Sequence, residues 1–373
     1  MNRKKDIPSL LINGLFFYRL LMAFVAKYII ARLTILADIG TFMYGLPYDE
    51  YGLLPMLYQK FGLMMFLKKD VLGVAIISSI HFLCRFEILT FCVCSAIGYI
   101  GIRKFLIAAR SDSKMYLLLI LLCYSPSFNI WSSIGGKECL VVFGMGVLCA
   151  ELIKLYKREP FKPDILFFVA LYLVMVIKKP YIPFVLVTFG YVVFRRCVDV
   201  PYKWDLTILL GLLAAVAVGM YLFRYQLDEY AFFAQQTPRV SARSTRDHLF
   251  IEQFDFFRKM PYLMPLAFWG PTWAECATSP LHLFSFIESG VILLVAVIML
   301  WGFPVALFRQ FRSYYQWFLL GCNAVFLLLF VQYGQGIINP GAGIRYRTNI
   351  YLPVIAFVYI FAYLKEKCSE EQD

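Results

Sequence analysis

The stretch LHLFSFIESGVILLVAVIMLWGFPVALF, residues 281–308, decides which kind of fold this chain can adopt. A helix needs about 20 apolar residues to cross the hydrocarbon core of a bilayer, and this stretch exceeds that length. Glu288 is the only Asp, Glu, Lys or Arg in it. The apolar residues are continuous rather than alternating, which favours a helix over the strand of a β-barrel. We therefore expect a membrane-spanning helix here.

Comparable apolar stretches recur along almost the whole chain of 373 residues. Hydrophobic residues make up 61%, aromatic residues 18% and charged residues 16%, which excludes an ordinary soluble globular domain. The sequence predicts an all-α fold, a polytopic transmembrane helical bundle of about ten spans that forms a single integral membrane domain over residues 1–373. The predicted spans are 11–36, 84–102, 115–130, 138–155, 164–178, 181–195, 205–223, 281–308, 313–333 and 349–364.

The charges of the loops predict the orientation. The formal net charge is +12, and most Lys and Arg residues lie in short loops beside the predicted spans, where positive charge marks the cytoplasmic side. This pattern places both termini in the cytoplasm and leaves two long loops outside, at about 38–83 and 224–280. The apolar stretches 64–67 and 71–80 are too short to span, so we expect interfacial or re-entrant helices there. The positive charge is therefore a sign of orientation, and no nucleic-acid partner is expected.

Acidic residues of the predicted first outer loop are the candidate catalytic groups. Charged groups close to membrane depth are costly, which makes them functional hypotheses by default. Asp38 directly follows the first predicted span, and Asp49 and Glu50 lie further along the same loop. A carboxylate there can take the proton from an attacking hydroxyl or support an oxocarbenium-like centre. The alternative for each of them is an ordinary loop acid.

Basic residues at the outer ends of predicted spans are the candidate phosphate ligands. Guanidinium and ammonium groups bind phosphate and diphosphate strongly. The alternative is that they are interfacial anchors whose charged ends reach the headgroup region. The candidates are Lys137, Lys178, Lys179, Arg345 and Arg347.

A further set of outer residues is predicted to bind the substrate. Trp131 and Trp273 offer flat faces for sugar rings, although an interfacial aromatic belt is the competing interpretation. Glu275 lies close to Trp273 in sequence, while Arg243 and Arg246 belong to an arginine-rich stretch without apolar periodicity. That stretch is predicted to be a mobile loop that closes over a substrate, or else a basic loop that touches lipid headgroups.

The sequence predicts no cofactor. Its three histidines are far apart, and it contains neither an HExxH motif nor a Cys/His cluster, so a dedicated zinc site is not expected. The lysines and arginines can neutralise a phosphate without metal, and a divalent metal stays open as an alternative.

Several segments resemble those of bacterial membrane proteins that are encoded in polysaccharide gene clusters. Residues 125–138, SPSFNIWSSIGGKE, are similar to a "PS…WSSxxxKE" segment, and Lys179-Pro180-Tyr181 resembles an Arg-Pro-aromatic turn. Residues 268–288, which contain GPTWAE, SPL and FIE, look like a "GPxxWE…SPL…xIE" stretch. Residues 343–347, GIRYR, resemble an "xRYR" entrance to a late span. The segments occur in the same order as in that family.

The family comprises multi-span glycosyltransferases of the GT-C kind and the polymerases of O-antigen and capsule repeat units. The resemblance implies a bacterial inner (cytoplasmic) membrane protein with an extracytoplasmic active site and an undecaprenyl-phosphate or undecaprenyl-diphosphate sugar donor. It also implies a catalytic acid in the first outer loop, which Asp38 matches by position only. Lys178 and Lys179 stand where the family has an Arg.

Together, the residues and the resemblance predict an enzyme of O-antigen or lipopolysaccharide biosynthesis. The first expectation is a glycosyltransferase that polymerises undecaprenyl-diphosphate-linked oligosaccharide repeat units. The alternatives are a GT-C glycosyltransferase that adds one sugar and a flippase for lipid-linked sugars. The expected partners are an undecaprenyl-linked saccharide, the lipid bilayer and a chain-length regulator protein.

Overall fold

The computed structural model describes residues 3–34, 36, 39–45, 54–236, 246 and 248–370, and every regular element within these ranges is helical. Short 3-10 or π segments interrupt the helices at Ala26–Ile30, Gly62–Leu67, Lys179–Tyr181 and Leu186–Gly190. The α-helices are α1 (Arg3–Val25), α2 (Ala31–Leu33), α3 (Ile39–Tyr44), α4 (Leu54–Phe61), α5 (Lys69–Cys84), α6 (Glu87–Ala109), α7 (Lys114–Cys123), α8 (Pro126–Ser133), α9 (Lys137–Tyr156), α10 (Ile165–Ile177), α11 (Ile182–Val185), α12 (Tyr191–Cys197), α13 (Tyr202–Leu222), α14 (Arg224–Gln236), α15 (Asp255–Arg258), α16 (Met260–Trp269), α17 (Trp273–Cys276), α18 (Pro280–Leu300), α19 (Phe303–Arg309), α20 (Phe311–Gly336) and α21 (Pro340–Glu370).

Seven helices in the described part of the chain are long and apolar enough to cross a membrane. Two further pairs of helices pass the same test together but are bent, so the number rises to nine if each pair is one span. The seven are Ile7–Leu33, Glu87–Ala109, Lys137–Tyr156, Tyr202–Leu222, Pro280–Arg309, Tyr314–Gly334 and Pro340–Glu366. The membrane character predicted from the sequence is thus supported, whereas about ten spans are not confirmed.

Against nine spans, the excess in the predicted number comes from the segment between α9 and α13. Against seven, the predicted span 115–130 adds to the excess, because α7 and α8 are bent by 50°. The predicted spans 164–178 and 181–195 correspond to α10 and to the helical segment 179–197, which meet at an angle of 116°. With 13 residues α10 is about 20 Å long, whereas the hydrocarbon core is about 30 Å thick. Hydropathy alone registers two apolar runs here and does not see the bend between them.

The helices form two compact units. Unit 1 comprises Met1–Ile182 and Tyr351–Ala356, and unit 2 comprises Pro183–Ile350 and Phe357–Asp373. Each unit contains candidate membrane spans. Neither is therefore a water-soluble domain appended to a membrane anchor.

Unit 1 is built around α9, whose apolar window is 89% buried. Glycines let its backbone approach that of α6, because a Cβ on Gly146 would lie 2.4 Å from the carbonyl carbon of Gly101. A Cβ on Gly101 would likewise meet the carbonyl oxygen of Phe143 at 2.4 Å. Small residues at helix crossings allow this close packing in membranes, where no hydrophobic force drives helices together.

The first predicted outer loop contributes α5 to unit 1. We expected an interfacial or re-entrant helix here, and α5 spans Lys69–Cys84, with its residues Val71–Ala75 buried. A Cβ on Gly73 would lie 2.9 Å from the ring of Phe42 in α3, so these two helices pack closely. The apolar run of α5 therefore packs against protein on one side.

The second predicted outer loop folds into helices of unit 2. The ring of Phe256 in α15 stacks on Tyr333 of α20 with 4.6 Å between ring centroids, and the Tyr333 hydroxyl donates to the Phe256 carbonyl at 2.8 Å. The apolar windows of α13 and of the segment Pro280–Arg309 are only 11% and 17% buried. Their exposed apolar surfaces are what contact with lipid tails requires.

Candidate functional site

Two groups of predicted site residues and their partners stand out in the described structure, one in each unit. The Lys137 site in unit 1 consists of Phe42, Asp70, Gly135, Lys137 and Glu138. The Gly270 cluster in unit 2 consists of Arg246, Gly270, Glu275, Glu288, Ser289 and Arg347. Each site is described within its own unit.

The Lys137 site forms where α3, α5 and the N-terminus of α9 meet. Lys137 Nζ lies 3.1 Å from Oδ1 of Asp70 and 5.3 Å from the ring centroid of Phe42. A Cβ on Gly135 would meet the Met43 side chain at 3.2 Å, so this glycine lets α3 approach closely. The helix that directly follows Asp38 in sequence is therefore packed against the segment GGKE, residues 135–138.

The electrostatics of the Lys137 site are those of an anion-binding helix end. Lys137 and Glu138 are the first two residues of the 20-residue α9, whose unpaired N–H groups carry a partial positive charge. Lys137 adds a full positive charge at that end, and the carboxylate of Asp70 offsets it. The Asp70 side chain is 50% exposed, whereas the Lys137 side chain is 13% exposed. An anion arriving from solvent would compete with Asp70 for the lysine.

Trp131 is half-buried on α8, which a buried arginine fastens to α1. The guanidinium of Arg19 donates to Oδ1 of Asn129 at 3.0 Å, to Oγ of Ser132 at 2.9 Å and to the carbonyl of Ser95 at 3.2 Å. All of these acceptors are uncharged. They hold α1, α6 and α8 together and fix the helix that carries Trp131.

The two lysines at the sharp bend have different environments. Lys178 follows the last residue of α10 and is 6% exposed, while Lys179 begins the 3-10 turn and is exposed. Pro180 follows directly, and its ring favours the turn conformation at this point. Of the two, Lys179 has the side chain that solvent reaches.

The Gly270 cluster is held by two arginines that donate to carbonyls two residues apart. Arg246 Nη2 donates to the Gly270 carbonyl at 3.2 Å, and Arg347 Nη1 lies 3.5 Å from the Phe268 carbonyl oxygen. Gly270 has a φ of +103°, which a residue with a Cβ rarely adopts. The turn after α16 thus depends on glycine and on both guanidinium groups.

Arg246 and Glu275, both predicted to bind substrate, form a two-pronged ion pair with each other. Nε of Arg246 lies 2.6 Å from Oε1 of Glu275, and Nη2 lies 2.9 Å from Oε2. Glu275 also accepts the backbone N–H of Thr272 at 2.6 Å in a capping box at the start of α17. Arg246 additionally donates to the carbonyl of Ile337 at 2.9 Å. These contacts anchor the end of the arginine-rich stretch to unit 2.

The pair sets the charge state of Glu275. Burial raises the pKa of this carboxyl, but hydrogen bonds from Arg246 and from the Thr272 backbone outweigh burial and hold the pKa below its usual value. Glu275 is therefore a carboxylate at neutral pH. As a carboxylate, Glu275 holds the start of α17 in place and has no proton to donate as a general acid.

Arg347, predicted to bind phosphate, forms a buried ion pair. Its Nη2 lies 3.3 Å from Oε2 of Glu288, and its Nη1 donates to Oγ of Ser289 at 2.7 Å. The side chains of Arg347 and Glu288 are 3% and 6% exposed. Arg345, two residues earlier on α21, is partly exposed and lies over the ring of Tyr346 at 5.5 Å.

Other predicted site residues fall into two groups. Trp273 is 74% exposed and packs edge-on against Phe286, with 5.8 Å between the ring centroids. Asp38, Asp49, Glu50 and Arg243 lie outside the described residues. Their predicted roles stay predictions.

Sequence reasoning missed two partners of the predicted residues and one partner of the buried Arg19. Asp70 is 67 positions from Lys137, and Ser289 is 58 positions from Arg347, so no local spacing connects them. Asn129, which accepts from Arg19, lies inside the quoted segment SPSFNIWSSIGGKE. An amide in an otherwise apolar stretch was the available signal for this last contact.

In chemical terms, the Lys137 site offers one ammonium group at a helix N-terminus to an anion, and the Gly270 cluster fixes a turn that packs against Ile344. Among the described residues, no three His, Cys, Asp or Glu side chains are grouped so that they could hold a metal ion. No protein-family model, curated protein or solved structure matches the chain. Function is therefore inferred from these residues and from the resemblance of the quoted segments.

Proposed function

We propose that this protein is a membrane-embedded glycosyltransferase that polymerises undecaprenyl-diphosphate-linked oligosaccharide repeat units of the O-antigen or capsule type. The reaction would take place on the extracytoplasmic face of a bacterial inner membrane. The observation that carries the proposal is the Lys137 site, where α3 packs against GGKE at the start of α9. It brings the first loop against the segment that resembles the polymerases.

The proposed chemistry is displacement at an anomeric carbon. Asp38, the residue before α3, takes the proton from the acceptor hydroxyl, whose oxygen bonds to the anomeric carbon while the bond to the diphosphate breaks. Asp49 and Glu50 are the further candidates for this role. The leaving diphosphate carries away the bonding electrons and is stabilised by positive charge at the end of α9.

The proposed phosphate ligands differ in the contacts that they already make. Within unit 1, Lys137 exchanges its ion pair with Asp70 for one with the diphosphate, and Lys178 and Lys179 are the further proposed cations. Arg345 is the candidate cation of unit 2. Arg347 supports the same chemistry through the buried pair with Glu288, which positions the start of α21. Trp131 and Trp273 are the proposed sugar-stacking faces, and Arg243 is proposed to close over the substrate. Arg246 and Glu275 hold each other and the start of α17 in place.

A polysaccharide gel distinguishes this proposal from its alternatives. Cells that lack the gene are complemented with the wild type, with Asp38→Asn or with Asp112→Asn, an exposed loop aspartate that serves as the matched control. We expect the wild type and Asp112→Asn to restore a ladder of polymer lengths. We expect Asp38→Asn to leave a single repeat unit on the carrier.

The other outcomes have defined meanings. Transfer of a single sugar predicts a ladder that persists without the gene but with a changed mobility of each rung. A flippase predicts that no saccharide reaches the outer face without the gene. Full restoration of the ladder by Asp38→Asn would remove that residue from the mechanism.

A second set of variants tests the Lys137 site. Lys137→Gln removes the cation, and Asp70→Asn removes only its competitor. If Lys137 binds the diphosphate, the first variant loses the ladder while the second keeps it. Equal loss in both would show that the ion pair has a structural role only. Arg345→Gln, with Arg345→Lys as its charge-preserving control, extends the test to unit 2 without disturbing the pair of Arg347 and Glu288.

A further inference from the structure

A groove in unit 2 lies beside the face of α13 and has a volume of about 470 Å³. One side of it is a stripe at helical spacing, which we call the α13 stripe: Leu213, Val216, Ala217, Met220 and Tyr221. The other apolar walls come from Phe326 of α20, Phe254 just before α15, Phe257 of α15 and Met260 of α16. The volume falls within the range of small-molecule sites, and its walls are apolar.

The shape of the groove suits a hydrocarbon chain. The α13 stripe covers about 12 Å along the helix axis at 1.5 Å per residue. It runs towards the end of a candidate membrane span, Tyr202–Leu222. An extended acyl chain lying along the bilayer normal would follow the same direction. The exposed faces of Leu213 and Tyr221, which are 38% and 64% accessible, open the groove to the surrounding lipid.

Among the described residues that line the groove, one is a cation, and it lies at the end of the α13 stripe. Arg224 lines the groove directly after the span, with its guanidinium 4.1 Å from the ring centroid of Tyr221 and 4.6 Å from that of Tyr225. Nη1 donates to the Tyr221 carbonyl at 2.8 Å, which fixes the orientation of the fork. Within the described part of the chain, no carboxylate forms an ion pair with Arg224.

The charged groups nearby are engaged elsewhere. Asp228, one turn further along α14, accepts the backbone N–H of Phe254 at 2.8 Å. Arg258 pairs with Glu252 at 2.6 Å, and Lys259 pairs with Asp255 at 2.9 Å. Asp228 keeps its charge but does not line the groove, and among the described lining residues Arg224 is the one charged side chain. It matches the single negative charge of a phosphodiester better than the higher charge of a phosphate monoester or a diphosphate.

We propose that this groove binds an anionic glycerophospholipid, with one acyl chain along the α13 stripe and the headgroup phosphodiester on Arg224. The site uses none of the residues assigned to glycosyl transfer, so the two proposals are independent of each other. An ordinary interfacial anchor would place an arginine at the end of a span as well. The distinguishing feature here is an apolar groove that begins at the guanidinium.

The test uses the purified full-length protein in nanodiscs and a photoactivatable phosphatidylglycerol with a diazirine in its acyl chain. Peptide mapping then locates the label. A phosphatidylcholine with the same labelled chain reports non-selective contact, because its ammonium group neutralises the phosphodiester. We expect label in residues 213–224 to be about tenfold higher with phosphatidylglycerol, the ratio that about 1.4 kcal/mol of preference produces.

Variants separate the headgroup from the chain. Arg224→Gln is expected to remove the preference for phosphatidylglycerol, Arg224→Lys to retain part of it, and Ala217→Trp to reduce labelling by both lipids because it fills the groove. Arg309→Gln, at the exposed end of another span, is the matched control and is expected to label like the wild type. If Ala217→Trp does not fold, the variants of Arg224 and Arg309 are sufficient for the test.

Three results would overturn the proposal. Equal labelling of the wild type by the two lipids would mean that the groove takes any acyl chain. An unchanged preference in Arg224→Gln would remove the assigned headgroup contact. Displacement of the label by an equimolar polyprenyl phosphate would identify an isoprenoid chain as the occupant instead of a glycerophospholipid.

Discussion

Two buried arginines, Arg19 in unit 1 and Arg347 in unit 2, differ in the partners that stabilise their buried charge. Arg19 is 0% exposed and gives its hydrogen bonds to amide, hydroxyl and carbonyl oxygens. Arg347 is 2% exposed. It forms an ion pair with the carboxylate of Glu288 and donates a hydrogen bond to the hydroxyl of Ser289. The first arrangement retains a net positive charge inside its unit, and the second is neutral.

The difference predicts what each arginine leaves behind when it is removed. Without Arg19, neutral acceptors lose their donor, which costs about 1–3 kcal/mol for a buried group. Without Arg347, a buried carboxylate loses its cation, and breaking a buried ion pair from one side costs about 3–5 kcal/mol. Removing a buried charge is thus predicted to lower the free energy of unfolding less when its partners are uncharged.

The largest effect is expected for Arg347→Met. This variant takes away the cation that faces Glu288 and the donor to Ser289, so its free energy of unfolding should fall by about 3–5 kcal/mol. Thermal or denaturant unfolding of the purified protein in one detergent measures the loss. A loss no greater than that of Arg19→Met would contradict the comparison.

The double variant Arg347→Met with Glu288→Leu is the control for that prediction. Replacing both members of a buried pair by apolar residues leaves no charge without a partner. We expect it to be more stable than Arg347→Met alone. A double variant that is as unstable as the single one would assign the cost to packing and not to the carboxylate.

A smaller effect is expected for Arg19→Met. Asn129 and Ser132 lose a donor but keep their other hydrogen bonds, such as that from the Asn129 amide to the Cys123 carbonyl at 2.8 Å. The expected loss in free energy of unfolding is about 1–3 kcal/mol. Adding Asn129→Leu should recover part of it, because one acceptor left without its donor is then removed as well. No recovery would place the cost elsewhere.

The third prediction concerns the pH dependence of stability. It compares the wild type with Glu275→Gln, whose side chain has nearly the same shape but no charge. Because the folded state lowers the pKa of Glu275, the carboxylate stabilises the fold above the unfolded pKa of about 4.3. That stability is lost as the pH falls through the lower folded pKa. The melting temperature of Glu275→Gln should therefore lie below that of the wild type at pH 7. The gap should narrow once the pH falls below about 4. A gap that does not depend on pH would show that shape matters there and charge does not.

The smallest effect is expected for the half-exposed pair of Lys137 and Asp70. Asp70→Asn should change the free energy of unfolding by at most about 1 kcal/mol, and the change should shrink in high salt. Melting curves at low and high salt measure it. A loss as large as that of Arg347→Met would mean that Asp70 is a structural anchor, which would weaken the proposed exchange of Asp70 for diphosphate.

Much of the architecture could be predicted from local sequence. Continuous apolar runs such as 138–155 and 205–223 became α9 and α13 with ends shifted by a few residues. In lipid, the backbone N–H and C=O groups of such a run have no water as a hydrogen-bond partner. They must pair within the run itself, which a helix achieves. The same reasoning does not detect a bend, and the runs 164–178 and 181–195 were therefore predicted as two separate spans.

The candidate site was predictable only in part. The cations Lys137 and Arg347 were recognised because charge near membrane depth is costly, but their partners Asp70 and Ser289 were not. Glu275 and Arg246 were both proposed to contact substrate, and the structure shows them bound to each other. A single sequence contains no distance between residues that are far apart in the chain, so it shows that a charge needs a partner but not which one.

The sequence by itself determined that the chain is helical and apolar enough for a membrane, because hydropathy and backbone hydrogen bonding are local properties. Tertiary structure alone decided that Arg19 is held by neutral oxygens and Arg347 by a carboxylate. It also decided that glycines bring α6 and α9 together and that the end of the arginine-rich stretch is anchored through Arg246. The reason is physical: the energy of a buried charge depends on its neighbours in space, and folding chooses those neighbours from distant parts of the chain.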